Sequence, residues 1–259
     1  MTNLPLSEVR RRQHHPHLDV DPLYSRLVMR RLSPFMTWFV YNFTPLTANA
    51  ITLCAIVSGV VASALLLLPT TPTYLSAVFL LQFAYLCDTS DGEVARLRGS
   101  ASKRGTYYDM LGHILQDRAL FVAAALELIL LSGFSYPVVL LSLVSVAFTE
   151  PFGVHARVII AGSIDDADPV HGARRPVVRS SGSGLAGNMY YAYRKLAFLW
   201  GYPAAMNLFC VSILIDAARF AIFPGAVATA LPLLYLVFGP TLVIRQFGNA
   251  LRLLRVANW

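Results

Sequence analysis

The sequence predicts an all-α integral membrane protein: a bundle of six membrane-crossing helices preceded by an amphipathic interfacial helix. Three observations predict it. The 259 residues are 56% hydrophobic and only 14% charged, with mean hydropathy +0.57; a soluble domain carries about 25% charged residues. Apolar runs approaching the roughly twenty residues that a bilayer requires recur along the chain. The basic residues gather in alternate loops. The segment to Phe35 holds six arginines, and the loop between the second and third spans holds four basic residues, Arg96 included. The stretch between the fourth and fifth spans holds six, and the tail after the sixth holds three. Nineteen of the twenty-one basic residues thus fall on one side; Arg219 falls on the other and Arg118 within a span. By the positive-inside rule both termini are expected in the cytosol.

The elements follow in order. Residues 1–20 include RRRQHHPHLDV, show no apolar period and are expected to be a flexible tail. Its histidines, His14, His15 and His17, read as solvated rather than as a metal tract. Over 21–40 the apolar Tyr24, Leu27, Val28, Leu32 and Phe35 recur at helical spacing, with Arg26 and Arg30 on the opposite face. That is an amphipathic juxtamembrane helix, with Pro34 a candidate bend. Residues 41–259 are expected to form one six-span membrane domain. The spans fall at about 47–68, 73–96, 105–131, 136–160, 196–215 and 224–244. Pro45 precedes the first, and Pro69 and Pro72 end it.

Composition also excludes some functions. A net charge of +7 raises nucleic acid as a partner. The charge lies in loops between apolar segments, however, which suits membrane orientation and anionic headgroups instead. No nucleic-acid partner is expected. Cys54, Cys87 and Cys210 lie in or at apolar segments with no metal-ligand spacing, and read as small packing residues.

One run departs from the apolar pattern. Residues 87–116 read CDTSDGEVARLRGSASKRGTYYDMLGHILQ, with apolar segments on either side. Ionisable residues inside a membrane are costly and mark a functional site by default. With Asp88 at zero on a helical wheel, Asp91 falls at about −60°, Ala95 at about −20° and Gly92 at about +40°. Two carboxylates and two nearly bare positions therefore share a face. Gly105, Asp109, His113 and Asp117 repeat every fourth residue and form a second stripe about 18 Å long. If the stripes face each other, three or four oxygen ligands surround one small space. Hard oxygen ligands suit Mg²⁺ or Mn²⁺, one ion or two. A helix-capping acid cluster is the plainer alternative, but it does not account for three acids with spaced small residues and an arginine.

The pattern Asp88-x-x-Asp91-Gly92-x-x-Ala95-Arg96, then eight residues, Gly105, three residues and Asp109 resembles the signature of the CDP-alcohol phosphotransferase family. The segment 33–52, SPFMTWFVYNFTPLTANAIT, also looks like that family's approach to its first span. The resemblance implies a six-helix homodimer with a hydrophilic cavity open to the cytosol. It implies cleavage of a CDP-alcohol, release of CMP and transfer of the phosphoalcohol to a hydroxyl acceptor. Asp88, Asp91 and Asp109 would be metal ligands; Asp88, Gly92, Ala95, Arg96 and Gly105 would meet the CDP moiety. CDP-diacylglycerol with a small polar acceptor is the favoured pair, in phospholipid or phosphodiester synthesis; a small CDP-alcohol with a lipid acceptor is the alternative that the same fold allows.

The family pattern ends on a fourth aspartate, and here that position is His113. An imidazole can act as general base or as metal ligand, and His113 is the expected catalytic base. Asp117, one turn on, is a candidate fourth metal carboxylate, with an ion pair to Arg118 or another helix as the alternative. Arg194 and Lys195 are the best candidates for binding an anionic acceptor. Two rival functions stand beside this one: an inactive family member serving as a binding or assembly subunit, and a cation-binding transporter.

Overall fold

A computed structural model of the chain describes residues 3–12, 24–147, 204–241 and 243, and every regular element among them is helical. Helix α1 is Leu6–Arg12. Helix α2 begins with a π turn at Ser25–Met29 and continues as Arg30–Phe43. Then come α3 (Ala48–Leu65), α4 (Thr71–Leu97), α5 (Lys103–Leu131), α6 (Tyr136–Ala147), α7 (Ala204–Ile222) and α8 (Ala230–Thr241).

Local chemistry sets these bounds. Thr47 caps α3, its side chain accepting from the amide of Ala50. Thr70 and Thr73 form a reciprocal capping box at the start of α4, so Pro72 sits in a first turn, where proline lacks no needed donor. The expectation that Pro72 ends the first span gives way to this: it opens the second. Gly99, at φ +63°, turns the chain out of α4, and Ser102 caps α5 by accepting from the Gly105 amide at 3.1 Å. Pro34 lies inside α2, and the helix runs through it to Phe43.

Helix α3 packs against both α4 and α5, antiparallel to α4 and parallel to α5, where Ile56 meets Gly112 and Gly59 meets Gln116. Lipid offers no hydrophobic drive for helix association, so close approach of small residues matters. The buried face of α3 carries Ala55, Gly59, Ala62 and Ser63. An added Cβ at Gly59 would lie 2.6 Å from Gln116 Cγ on α5, and one at Gly112 would lie 3.0 Å from Ile56 Cγ1 on α3. These two glycines set the α3–α5 spacing. The larger apolar core joins Tyr74, Leu81 and Phe121 to Phe209, Ile213, Leu231 and Tyr235 of α7 and α8. A smaller one, Val40, Ile51, Ala55, Cys87 and Val94, lies at the end of the bundle that carries the acids.

Helix α2 runs alongside the second half of α4 and in the same direction. Tyr24 donates to Gln82 at 2.6 Å, Ser33 and Thr37 donate to Glu93, and Arg98 Nη2 donates to the carbonyls of Val40 and Thr44 at 3.1 Å. Its packed face carries Ser33, Pro34, Thr37 and Val40, while Leu27, Leu32, Phe35 and Phe39 are exposed, so the helix is amphipathic with its larger apolar residues outward. Part of the stretch expected to be a flexible tail is ordered on this helix. Leu4 is held by Asn42 and Trp38, Val9 is buried, and Arg10 lies 4.8 Å from the Phe35 ring centroid. His14, His15 and His17 lie outside the described residues.

The helix bounds near the chain's end differ from expectation. The expected fifth span stops at 215, but α7 continues to Ile222, and α8 starts at Ala230 rather than at 224. Asp216 is the reason. Fully buried, it accepts from the amides of Thr229, Ala230 and Leu231 and lies 3.4 Å from Arg219, so it caps α8 from within α7. Two helices, α3 and α7, are by themselves long and apolar enough to cross a membrane. Helices α4 and α5, 27 and 29 residues long, carry most of their charges towards one end, Glu127 near the close of α5 excepted.

Candidate metal and nucleotide site

The polar end of α4 stays helical because its hydroxyls are satisfied internally. Thr89 donates to the Tyr85 carbonyl at 2.9 Å and Ser90 to that of Leu86 at 2.7 Å. The short reversal through Gly99 returns the chain as α5, and α3 packs against both helices, so the polar side chains of α4 and α5 reach one another beside it. Asp88 therefore meets Asp109 and His113. His113 Nε2 lies 3.3 Å from Asp88 Oδ1 and 3.4 Å from Asp109 Oδ1. One donor atom from each of the three residues falls within 4.8 Å of the others. Asp88 is the most enclosed and Asp109 the most open of the three, so the cluster has a buried floor and an accessible rim.

Asp91 is placed differently. It is buried, and its Oδ2 accepts from Thr52 Oγ1 on α3. It is not one of the three convergent donors. Asp117 is half-buried one turn beyond His113 and also stands outside that group. Between His113 and Asp117, Gln116 turns to Gly59 on α3.

The small residues divide their work. The Arg96 guanidinium folds back over Gly92, its Nη1 3.3 Å from where a Cβ would be. A side chain at position 92 would therefore displace the arginine. Gly105 faces Asn49 of α3 and its own cap Ser102, with 3.6 Å and 3.5 Å to an added Cβ. Ala95 is half-buried and Arg96 exposed. Arg194 and Lys195 lie outside the described residues.

Sequence reasoning missed four contributors: Thr52, Glu93, Arg98 and the Gly59–Gln116 contact. Glu93 sits about 140° from Asp88, on the opposite face of α4. It is fully buried and accepts from Ser33 Oγ at 2.8 Å and Thr37 Oγ1 at 2.7 Å, with Arg30 Nη1 3.7 Å away. It thus fastens α2 to the helix bearing Asp88. The signal was available: an acid on the apolar side of the motif helix, and hydroxyls four residues apart on α2. Arg98, grouped by sequence with the loop charges, instead grips the turn before α3. It donates to the carbonyls of Val40, Thr44 and Leu46 and stacks over Tyr41.

Residues 45–231, well over half of the chain, match the family model described as CDP-alcohol phosphatidyltransferase. The chain belongs to that family. The match contains Thr52, the whole acidic run and both helices that present the cluster. CDP-alcohol phosphatidyltransferases are integral membrane transferases that move a phosphoalcohol in lipid synthesis, generally with a divalent metal. A comparison with curated proteins gives no match.

Proposed function

We propose that this CDP-alcohol phosphatidyltransferase transfers a phosphatidyl group from CDP-diacylglycerol to a small polar alcohol, releasing CMP. The observation that carries the reading is the convergence of Asp88, Asp109 and His113 from two antiparallel helices within the family's signature. Asp91, buried behind them and held by Thr52, adds a further carboxylate to the same end of α4.

The donor set fits a divalent cation. Two carboxylate oxygens and an imidazole nitrogen stand close enough to share one ion, and carboxylates leave such a site charged and open to water. Asp88 and Asp109 would hold Mg²⁺ or Mn²⁺, with Asp91 and Asp117 as the reserve carboxylates for a second ion. A bound ion would neutralise charge on the diphosphate and on the departing CMP. The chain's own residues do the rest. Gly92 and Ala95 keep the face of α4 low, and Arg96 above Gly92 supplies a cation to the nucleotide. His113 takes the acceptor's hydroxyl proton at Nε2 as that oxygen forms its bond to the β-phosphorus. The bond from the β-phosphorus to the bridging oxygen breaks, and CMP leaves with the electron pair. The position of Nε2 between two carboxylates favours a second reading for His113, as a ligand to the same ion.

In this reading the chain crosses the membrane six times, works as a homodimer and keeps both termini and the acidic cluster in the cytosol. Arg194 and Lys195 receive an anionic acceptor. Cysteine labelling at position 100 from each side of sealed vesicles tests the orientation; access from the outside alone reverses it. The function is tested by CMP release from CDP-diacylglycerol over a panel of polar alcohols. Turnover should vanish with chelator and fall at least about 10²-fold in Asp88→Asn and Asp109→Asn. Near-normal turnover in both variants overturns the metal-site reading. No CMP release with any donor or acceptor leaves the binding-subunit and transporter readings.

A further inference from the structure

A second polar feature lies at the opposite end of the bundle. A cavity of about 390 Å³ opens where α3 and α5 end and α8 approaches, lined by Leu66, Pro69, Ile129, Leu130, Phe134 and Val227. Among the described residues its walls are apolar except for Glu127. Glu127 lies fourteen residues beyond His113 on α5, about 21 Å along the axis, so this cavity is separate from the acidic cluster.

Three observations point to a ligand there. Glu127 is only 8% exposed, and its Oε2 has no hydrogen-bond partner among the described residues, whereas Oε1 accepts from the buried Tyr74 hydroxyl. A carboxyl oxygen left alone in an apolar cavity is costly unless a donor reaches it. The neighbouring acid offers no competition for such a donor, because Asp216 is already closed by three amides and Arg219. The lip of the cavity is also strained. Gly133 and Phe134 follow each other at φ +64° and +62°, and Phe134, a bulky residue in the left-handed region, stands 68% exposed at the opening. Such strain persists only where surrounding structure requires it and gathers at ligand sites.

We propose that this cavity binds a membrane amphiphile with a primary ammonium head, the ammonium donating to Glu127 Oε2 and the apolar body lying along Leu66, Ile129 and Leu130. The choice of head follows from charge complementarity. Among the described residues the cavity presents one carboxyl and no basic side chain, and an ammonium supplies both a hydrogen bond and a counter-charge. A quaternary ammonium carries the charge but no N–H, and an alcohol carries a donor but no charge. The site does not depend on the reaction at Asp88, so either reading can fail without the other.

The test uses the full chain in maltoside micelles. Its thermal midpoint is followed as phosphatidylethanolamine, or phosphatidylcholine with the same acyl chains, is added. Phosphatidylethanolamine should raise the midpoint by roughly 3 °C at saturation, with a clearly smaller shift for phosphatidylcholine. Glu127→Gln should abolish the difference between the two lipids. Leu130→Trp, which keeps the carboxyl and fills the exposed side of the cavity, should abolish it as well and keeps the test decisive if Glu127→Gln folds poorly. Equal shifts from both lipids, or a preference that survives both substitutions, overturns the proposal. So does loss of a dimer in Leu130→Trp without any lipid preference in the parent, which assigns this face to a second copy of the chain.

Discussion

Ser33 and Glu93 stand sixty residues apart in the chain, yet the serine hydroxyl donates to the glutamate at 2.8 Å, with both side chains buried. Thr37, one turn on, fills the carboxylate's other oxygen, and Arg30 supplies the nearest cation. A helix with an exposed apolar face is thereby joined, through a residue inside the signature, to the helix that presents Asp88. The acidic cluster is held from behind by charge and hydrogen bonds rather than by apolar packing alone.

Glu93→Gln should therefore destabilise the chain by about 1–3 kcal/mol, the usual cost of an imperfectly satisfied buried polar group. Glu93→Ala should cost more, about 3–5 kcal/mol, because two buried hydroxyls lose their acceptor and the carboxylate 3.7 Å from Arg30 is removed. Thermal unfolding of the single variants, Ser33→Ala and the Ser33→Ala/Glu93→Gln pair checks it. The double variant should lose clearly less than the sum of the singles. Simple additivity means that the contact carries no coupling.

The contact between Gly59 and Gln116 makes a second stability prediction. A methyl group at position 59 would meet the inner part of the buried Gln116 side chain, which has little freedom to withdraw. Gly59→Ala should cost about 1–3 kcal/mol through overpacking. Gln116→Ala added to it should recover part of the loss, read as the thermal midpoint of the purified protein. If the second substitution only deepens the loss, the two side chains do not set the α3–α5 spacing.

At the candidate site, His113→Gln should lower turnover about 10²–10⁴-fold, the range for a lost general base. Mn²⁺ affinity, followed by electron paramagnetic resonance, should change much less. His113→Asp should restore part of the rate by restoring the family pattern. A fall in Mn²⁺ affinity that parallels the fall in turnover moves His113 from base to ligand. Unchanged turnover in His113→Gln removes it from both roles.

Much of this arrangement is legible in the chain. Helical period alone puts Asp88, Asp91, Gly92 and Ala95 on one face of α4 and Gly105, Asp109 and His113 on one stripe of α5, because an α-helix fixes angles from spacing. Capping chemistry likewise marks Thr47 and the Ser102–Gly105 turn. Composition marks the all-α class, since a chain this apolar with so few charges has little else it can form.

What spacing does not reveal is which face another helix covers. Asp91 shares its face with Asp88, but Thr52, thirty-nine residues earlier, takes its carboxylate out of the convergent group. Asp216 looks in sequence like the polar end of a span; three amides from the next helix make it a buried cap instead. Glu93 and Glu127 are both buried acids, yet Glu93 is closed by α2 and Glu127 has an oxygen facing a cavity. The sequence by itself determined the helices, the faces that carry acids and the family signature, because these follow from local period and residue type. Only the tertiary structure decided which acids converge, which are capped and which is left open, because each outcome depends on donors brought from distant parts of the chain into a setting where water does not supply them.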